Sequence, residues 1–370
     1  MKKVILVDIV PEKKTTKEQL LKSMQELEEL VLTYWWIVII KKIQKKQIPD
    51  YKFYVGKWKL EEIIELMKIK DIDLLIIWNI LKPLQIYNIN SKLESIGKKA
   101  WDRIDLILKI FEKHANSVES KLQIELAAIK HMWPRIFGMG LELSRQWWGI
   151  WTRWIWETNI EIMKRHLLKK EKIILSKLEH CKKVRNTHRI SRKKKNLQTV
   201  WIVWYTNAWK STLINSLTKK KTLVENKLFA TLGTLVGYMH VDTNNGKWEK
   251  ILINDTIWFI RDLPPSLINA FSSTLEDSTE SDLLLHVVDC TWNEQEEKIQ
   301  VVDNILKDIW VKQDIIYIFN KIDLISLEKL GQLKINFWKH APIFISAEKK
   351  IWLDNLKKQI IKRLYNKYND

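Results

Sequence analysis

Residues 200–217 constrain this chain more tightly than any other stretch. They read as a buried strand at Val200–Val203, a tight loop, and a helix opening at Lys210-Ser211-Thr212. That is the layout of a phosphate-binding loop, G-x-x-x-x-G-K-[ST], in which glycines let backbone N–H groups wrap phosphates. Here Trp204 and Trp209 occupy both glycine positions. An indole at 209 demands a turn that only glycine makes easily, and it fills the space a phosphate needs. Either the loop is dead or its tryptophans stand for glycine.

Composition bears on that choice. The chain has 370 residues with 20 Trp and 9 Gly. Average usage puts Gly near ~7%. Reading every Trp as Gly raises the count to 29, about 8% of the chain, an ordinary value for a globular protein. A UGA codon decoded as glycine in the source lineage but translated here as tryptophan produces this pattern. A genuinely Trp-rich protein is the alternative.

The remaining nucleotide-binding parts follow in order, each at a strand end. Lys250–Asn254 is a strand ending at Asp255, and Asp255-Thr256-Ile257-Trp258 is D-x-x-G if Trp258 is Gly. An aspartate there holds Mg²⁺ through water, and a glycine N–H senses a γ-phosphate. Buried strands follow at Leu283–Val288 and Ile315–Phe319, the second leading into Asn320-Lys321-Ile322-Asp323. N-K-x-D selects guanine, because the Asp323 carboxylate accepts hydrogen bonds from an N1–H and an exocyclic amine that adenine lacks. Ile343–Ile345 then delivers Ser346-Ala347-Glu348 as a loop placed to contact the base. The expected nucleotide-binding set is Trp204, Tyr205, Thr206, Asn207, Ala208, Trp209, Lys210, Ser211, Thr212, Asp255, Trp258, Asn320, Lys321, Asp323, Ser346 and Ala347.

Upstream, residues 1–100 alternate strands and helices and read as a small α/β domain. Its elements are a strand at Lys3–Val10, a helix at Lys17–Leu32, a strand at Ile37–Ile40, a helix at Leu60–Lys68 and a strand at Leu74–Ile77. Residues 101–195 read as a helical hairpin, one arm from Asp102 to His131 and ended by Pro134, the other from about Glu157 to Val184. Its tip, Arg145–Thr158, is expected as a loop. As printed, five tryptophans crowd positions 147–158; as glycines they give a flexible basic loop able to approach another backbone. Residues 196–370 complete a Ras-like domain, so the fold class is α/β with a helical insertion.

Charge separates the halves. Net charge is +19, and residues 196–370 carry 22 Lys and Arg against 21 Asp and Glu, so +18 belongs to residues 1–195. Residues 157–195 alone hold 14 Lys and Arg against 4 acids. A solvated helix face is the plain reading; an RNA-facing surface explains the surplus better. Cys181 and Cys290 make no disulfide framework and fit a reducing cytosol. The amino terminus reads as a first strand rather than a signal peptide, and no segment approaches a membrane span, so neither export nor membrane insertion is expected.

With these motifs in place, the chain resembles the HflX-type ribosome-associated GTPases over nearly its whole length. The resemblance rests on WYTNAWKST at 204–212 (family GYTNAGKST), VENKLFATL at 224–232, DTIWFIRDLP at 255–264 (family DTVGFIRDLP), and WWGIWTRWIWET at 147–158 (family GGGIGTRGPGET). Nearly every family glycine in these motifs is Trp here, Gly149 excepted. The resemblance implies a GTP- and GDP-binding, GTP-hydrolysing monomer in the cytoplasm that associates with the large ribosomal subunit and splits or rescues stalled ribosomes. Its tip residues Arg145, Thr152 and Arg153 would reach rRNA. By position, Lys210 would neutralise the β- and γ-phosphates, Ser211 would ligate Mg²⁺, and Asp255 would hold the metal from its second shell. Phe259 stands where many GTPases carry a water-orienting glutamine, implying slow intrinsic hydrolysis stimulated by the ribosome. Asn207 is either the asparagine that binds K⁺ in cation-dependent relatives or a loop-capping side chain.

The switch segment departs from the family at Gly233-Thr234-Leu235-Val236-Gly237, where Thr234 is the nearest candidate to complete the Mg²⁺ shell. After the last helix, expected at Leu356–Leu364, no room remains for the C-terminal domain found in some relatives. A ribosome-assembly GTPase, or a non-enzymatic RNA-binding protein if the tryptophans are genuine, are the alternative readings.

Overall fold

The computed structural model describes residues 2–10, 17–115, 117–146, 150–195, 197–205, 210–218, 236–243, 247–255, 281–292 and 294–365, with single positions at 267 and 279. The chain packs as two compact units, residues 1–113 with 121–178, and residues 114–120 with 179–370.

The first unit holds a four-stranded parallel sheet of order β2-β1-β3-β4, formed by β1 (Lys3–Val10), β2 (Ile37–Lys45), β3 (Leu74–Ile77) and β4 (Lys99–Asp102). The central strand β3 is a continuous apolar run and β1 is one apart from Lys3 and the buried Asp8, as burial on both faces requires. Helices α1 (Lys17–Thr33), α2 (Lys57–Ile69) and α3 (Pro83–Glu94) form the crossovers. Leu60, Ile63 and Met67 of α2 and Ile86, Ile89 and Leu93 of α3 pack with Ile5, Val7, Leu75 and Ile77 into one core.

The expected first arm of the hairpin is two helices, α4 (Arg103–His114) and α5 (Val118–Gln146). Pro134 does not end α5 but lies inside it. Proline removes only one hydrogen bond from a helix, and burial of Leu126, Ile129 and Ile136 on both sides of it compensates. The returning helix α6 runs from Ile150 to Lys194. Leu167 and Ile174 of α6 meet Leu122, Leu126 and Ile129 of α5, an apolar seam between antiparallel arms. The loop expected at Arg145–Thr158 is thus largely helical: Arg145 belongs to α5, and Thr152 and Arg153 to α6. As printed, the tip has indoles where glycines would break the helix, each glycine costing roughly 1 kcal/mol relative to alanine.

The second unit holds a six-stranded sheet of order β10-β9-β8-β5-β7-β6. Its strands are β5 (Thr199–Trp204), β6 (Val236–Thr243), β7 (Lys247–Asp255), β8 (Leu283–Asp289), β9 (Ile315–Asn320) and β10 (Ile343–Phe344). All pairs are parallel except β6 with β7. Helices α7 (Lys210–Leu217), α8 (Gln295–Asp308), α9 (Leu327–Asn336) and α10 (Leu353–Tyr365) complete the unit among the described residues. In β6, Gly237 lies so close to Thr218 that a Cβ would stand 2.5 Å from the threonine methyl, which leaves no room for a side chain.

Four helix ends carry the same cap; after α2 its left-handed residue is Asp71 (φ 47°), bonded to Lys68 O at 3.4 Å with Ile72 bonded to Met67 O at 2.9 Å, and the other three bear on the tryptophans. After α3, Gly97 N–H bonds Glu94 O at 2.9 Å and Lys98 N–H bonds Leu93 O at 3.1 Å, with Gly97 at φ 66°. This is a Schellman cap, whose left-handed residue is usually glycine. After α8 the same pair of bonds runs from Trp310 to Lys307 O (2.9 Å) and from Val311 to Leu306 O (3.1 Å), with Trp310 at φ 61°. After α1 it runs from Trp35 to Leu32 O (2.9 Å) and from Trp36 to Val31 O (3.4 Å), with Trp35 at φ 67°. A bulky side chain in this region is a steric outlier. Among the described residues Trp352 takes the same region (φ 58°), as do Tyr54, Asp71, Lys321, Ala341 and Lys350, so the conformation at the tryptophans is compatible with positions built for glycine without being peculiar to them.

Candidate functional site

Parallel strands deliver their following loops to one edge of the sheet, and ligands bind there, outside the carboxyl ends. β5 ends at Trp204, which is buried along with Tyr205, and α7 begins six residues after Trp204, at Lys210. Thr206, Asn207, Ala208 and Trp209 lie outside the described residues, as do the side chains of Lys210 and Ser211. Thr212, in the first turn of α7, has a buried Oγ1 that, among the described residues, has no hydrogen-bond partner. A buried hydroxyl at the positive end of a helix suits an oxyanion ligand. That orphan and the oxygen-donor chemistry of Ser211 and Asp255 fit a phosphate with a hard cation such as Mg²⁺.

β7 ends at Asp255, whose backbone pairs with Ile202 of β5, so the D-x-x-G segment starts beside the strand that carries the phosphate loop. Trp258, Phe259 and Thr234 lie outside the described residues, and so does the side chain of Asp255. The side chains of Arg145, Thr152 and Arg153 are likewise outside them.

At the base end, the site residues come together. β10 pairs with β9, Ile343 opposite Ile318 and Phe344 opposite Phe319, which brings the loop after β10 to the end of β9. Asn320 is buried, and its Oδ1 accepts a hydrogen bond from Ala347 N–H at 3.0 Å. Ser346 is buried, and its Oγ accepts from Lys349 N–H at 3.1 Å. Lys321 takes the left-handed conformation (φ 71°) and opens a 3₁₀ turn, Ile322–Leu324, that carries Asp323. The Ser216 hydroxyl on α7 donates to Ala347 O at 2.8 Å, tying the phosphate-side helix to the base loop.

Sequence reasoning passed over one residue here. Asp289, at the end of β8, is buried, and its Oδ2 lies 2.5 Å from Lys321 Nζ. Its Oδ1 accepts from Thr291 N–H (2.8 Å) and from Thr291 Oγ1 (2.6 Å). A carboxylate ending a strand that is apolar but for His286, in register with Asn320 of β9, is the signal that would have found it. Next to it, burial pushes the Cys290 thiol up to about 12, which keeps it protonated and inert.

A second polar cluster in the first unit resembles a metal site and is not one. Asp102, Asp105 and His131 offer three ligand atoms within 4.8 Å of one another. Arg135 already supplies the cation, with Nη2 2.7 Å from Asp102 and Nη1 3.0 Å from Asp105. His131 Nε2 lies 3.4 Å from each carboxylate. Burial opposes ionisation of Asp102, but His131 and Arg135 outweigh it and hold the carboxyl down to about 2. Burial likewise opposes a charge on His131, and the two carboxylates reverse the effect, raising its pKa. The cluster fastens α5 to the end of β4.

Comparison with known proteins agrees with this geometry. The family model for a GTP-binding GTPase N-terminal domain matches residues 21–112, that for a GTP-binding GTPase middle region matches 114–192, and that for a 50S ribosome-binding GTPase matches 199–321. The GTPase HflX of Caldanaerobacter subterraneus subsp. tengcongensis is 41% identical over 344 residues, covering 93% of this chain and 77% of the relative. That of Methanocaldococcus jannaschii is 36% identical over 357 residues, covering 93% and 83%. The crystal structure of SsGBP in complex with GDP is 30% identical, with a TM-score of 0.57 over 99% of both chains. A GDP complex of a GTP-binding protein from Sulfolobus solfataricus gives a TM-score of 0.51 at 30% identity, again over 99% of both chains.

Proposed function

The chain belongs to the HflX family of GTPases and is a GTP-binding, GTP-hydrolysing protein, and from that premise we propose that it acts on the large ribosomal subunit, separating or rescuing stalled ribosomes. The observation that carries the ribosomal part is the charge of α6. Between 161 and 195 this helix is mostly exposed, and residues 157–195 hold 14 Lys and Arg against 4 acids. Such a surplus exceeds what solubility needs and matches a polyanion. The matched description of a 50S ribosome-binding GTPase over residues 199–321 names the same partner.

In this reading the chain works as three parts, with the α/β domain at 1–100, the basic hairpin at 101–195 and the nucleotide domain at 196–370. The hairpin tip, through Arg145, Thr152 and Arg153, reaches rRNA. The protein acts as a monomer in the cytoplasm; among the described residues no helix is long and apolar enough to cross a membrane.

The site residues divide the work. Backbone N–H groups of 204–209 cradle the phosphates, Lys210 neutralises their charge, and Thr212 supplies its orphaned hydroxyl to a phosphate oxygen. A bound Mg²⁺ would supply positive charge that offsets the charge developing on the phosphates. Ser211 and Thr234 would hold it directly and Asp255 through water. Asn320 braces the base loop through Ala347, Asp289 fixes Lys321, and Asp323 reads the guanine edge. With Phe259 in place of a water-orienting side chain, hydrolysis is slow until the ribosome completes the site. Asn207 adds a K⁺ ligand or caps its own loop.

This division requires glycine at 204, 209 and 258. The left-handed caps at Trp35 and Trp310 support a glycine reading at two positions outside the nucleotide motifs. Sedimentation tests the function: the glycine-bearing protein with GTP should convert intact ribosomes into separated subunits. Cosedimentation with immature subunits alone, leaving mature particles whole, would favour the assembly reading.

A further inference from the structure

On the face of the second sheet formed by β5, β7 and β6, the C-terminal end of α6 roofs a cavity of about 350 Å³. Volumes of this size hold small ligands. Its floor is set by register: Trp201 lies opposite Asn254, and Leu252 opposite Tyr238, so these side chains share one face. Its roof is a helical stripe, since Arg185, His188, Arg192 and Lys195 recur at intervals of three and four.

Two features point to an occupant. Asn254 is 2% exposed, yet among the described residues its Oδ1 has no hydrogen-bond partner. A buried amide oxygen left bare is costly and uncommon, and one at a cavity wall calls for an N–H donor. Three cations line the same space. Arg185 is engaged with Glu119 at 3.2 Å, while among the described residues no ion pair neutralises Arg192 or Lys195. An anion with an N–H donor at its other end satisfies both features.

We infer that this cavity is a second ligand site, separate from the phosphate loop, that takes a nucleoside phosphate: phosphate on Arg192 and Lys195, an amino-bearing base edge on Asn254 Oδ1. Asparagine reads exocyclic amines in this way, and Tyr238 offers an aromatic wall for the base. The assignment does not use the indole of Trp201; glycine at 201 enlarges the cavity and leaves its polar groups in place. The ligand is either a free nucleotide or one unit of an RNA strand, since both present the same chemistry. Asn254 directly precedes Asp255 in β7, so occupancy bears on the strand that leads into D-x-x-G.

The test titrates the full chain, with GDP at saturating concentration, against AMP and against a five-residue oligoadenylate, by calorimetry. Saturable AMP binding supports a free nucleotide, and binding of the oligomer alone supports a strand unit. In either case Asn254→Leu should weaken binding about tenfold, and Arg192→Glu, at a half-exposed position, should weaken it at least as much. The inference is overturned if neither probe binds saturably, or if binding survives both substitutions unchanged. GDP affinity, measured in the same samples, reports the phosphate loop independently, so failure of the second site and failure of the GTPase reading give different outcomes.

Discussion

Replacing Trp310 by glycine should stabilise the carboxyl end of α8. Trp310 is 81% exposed, so its indole contributes little burial. Its φ of 61° places it in the left-handed region, which costs an L-residue roughly 1–2 kcal/mol. Glycine removes that strain and returns about 0.5–1 kcal/mol through the greater freedom of the unfolded chain. The net gain is roughly 0.5–1 kcal/mol. Because the chain packs as two units, a single unfolding midpoint would blur the effect. Hydrogen exchange of the amides from Ile305 to Val311 reads it locally, through the bonds Val311 to Leu306 and Trp310 to Lys307. Trp310→Gly should slow exchange there by about threefold or more, whereas Trp310→Ala, which keeps the strain and drops the indole, should not. The mirror substitution Gly97→Ala should speed exchange at the end of α3. Equal effects of Gly and Ala at 310, or faster exchange with Gly, would refute the claim that the position is built for glycine.

Three further outcomes are expected. Asp102 is held down to about 2, so its stabilisation is present above the ordinary carboxylate range near pH 4 and is lost as pH falls toward 2. The raised pKa of His131 adds stability that is complete below about 6.5 and fades as pH rises through the folded value. Asp102→Asn should therefore cost about 3–5 kcal/mol at neutral pH and flatten the acid limb of a pH series of thermal unfolding. Asp323→Asn should exchange guanine preference for xanthine, measured as competition of XDP against GDP, because an amide no longer accepts from both the N1–H and the amine. Binding to ribosomal RNA should fall linearly in log K against log salt, and charge reversal of three lysines in 164–195 should reduce that slope by about 3.

Most of the architecture was legible because burial writes itself into apolar runs. β3 appears as Leu74–Ile77 in both sequence and structure, and α1 differs from expectation by one residue. Five elements were not named: α3, β4, β6, α8 and α9. α3 buries Gln85, Ile86, Ile89 and Leu93, but the asparagines and serine between them dilute the helical period, and its start is fixed by Gln85 accepting from Lys82 N–H at 3.0 Å. β4 is four residues, Lys99–Asp102, with no apolar run, and exists because β3 offers it a parallel edge. Pro134 misled for the opposite reason: a local rule was overridden by tertiary packing of α5. At the site, the motifs named the residues, but only the fold brings Asn320 to Ala347, and Lys321 to Asp289, 32 positions earlier in the chain.

The central claim is that this chain is a working GTPase whose phosphate loop carries glycine where tryptophan is printed. Calorimetric titration of GDP into two versions of the full chain, one as printed and one with Trp204→Gly, Trp209→Gly and Trp258→Gly, tests it most directly. The glycine version should bind GDP saturably with Mg²⁺ present, and the printed version should bind at least a hundredfold more weakly. Equal binding by both, or no binding by the glycine version, would contradict the account.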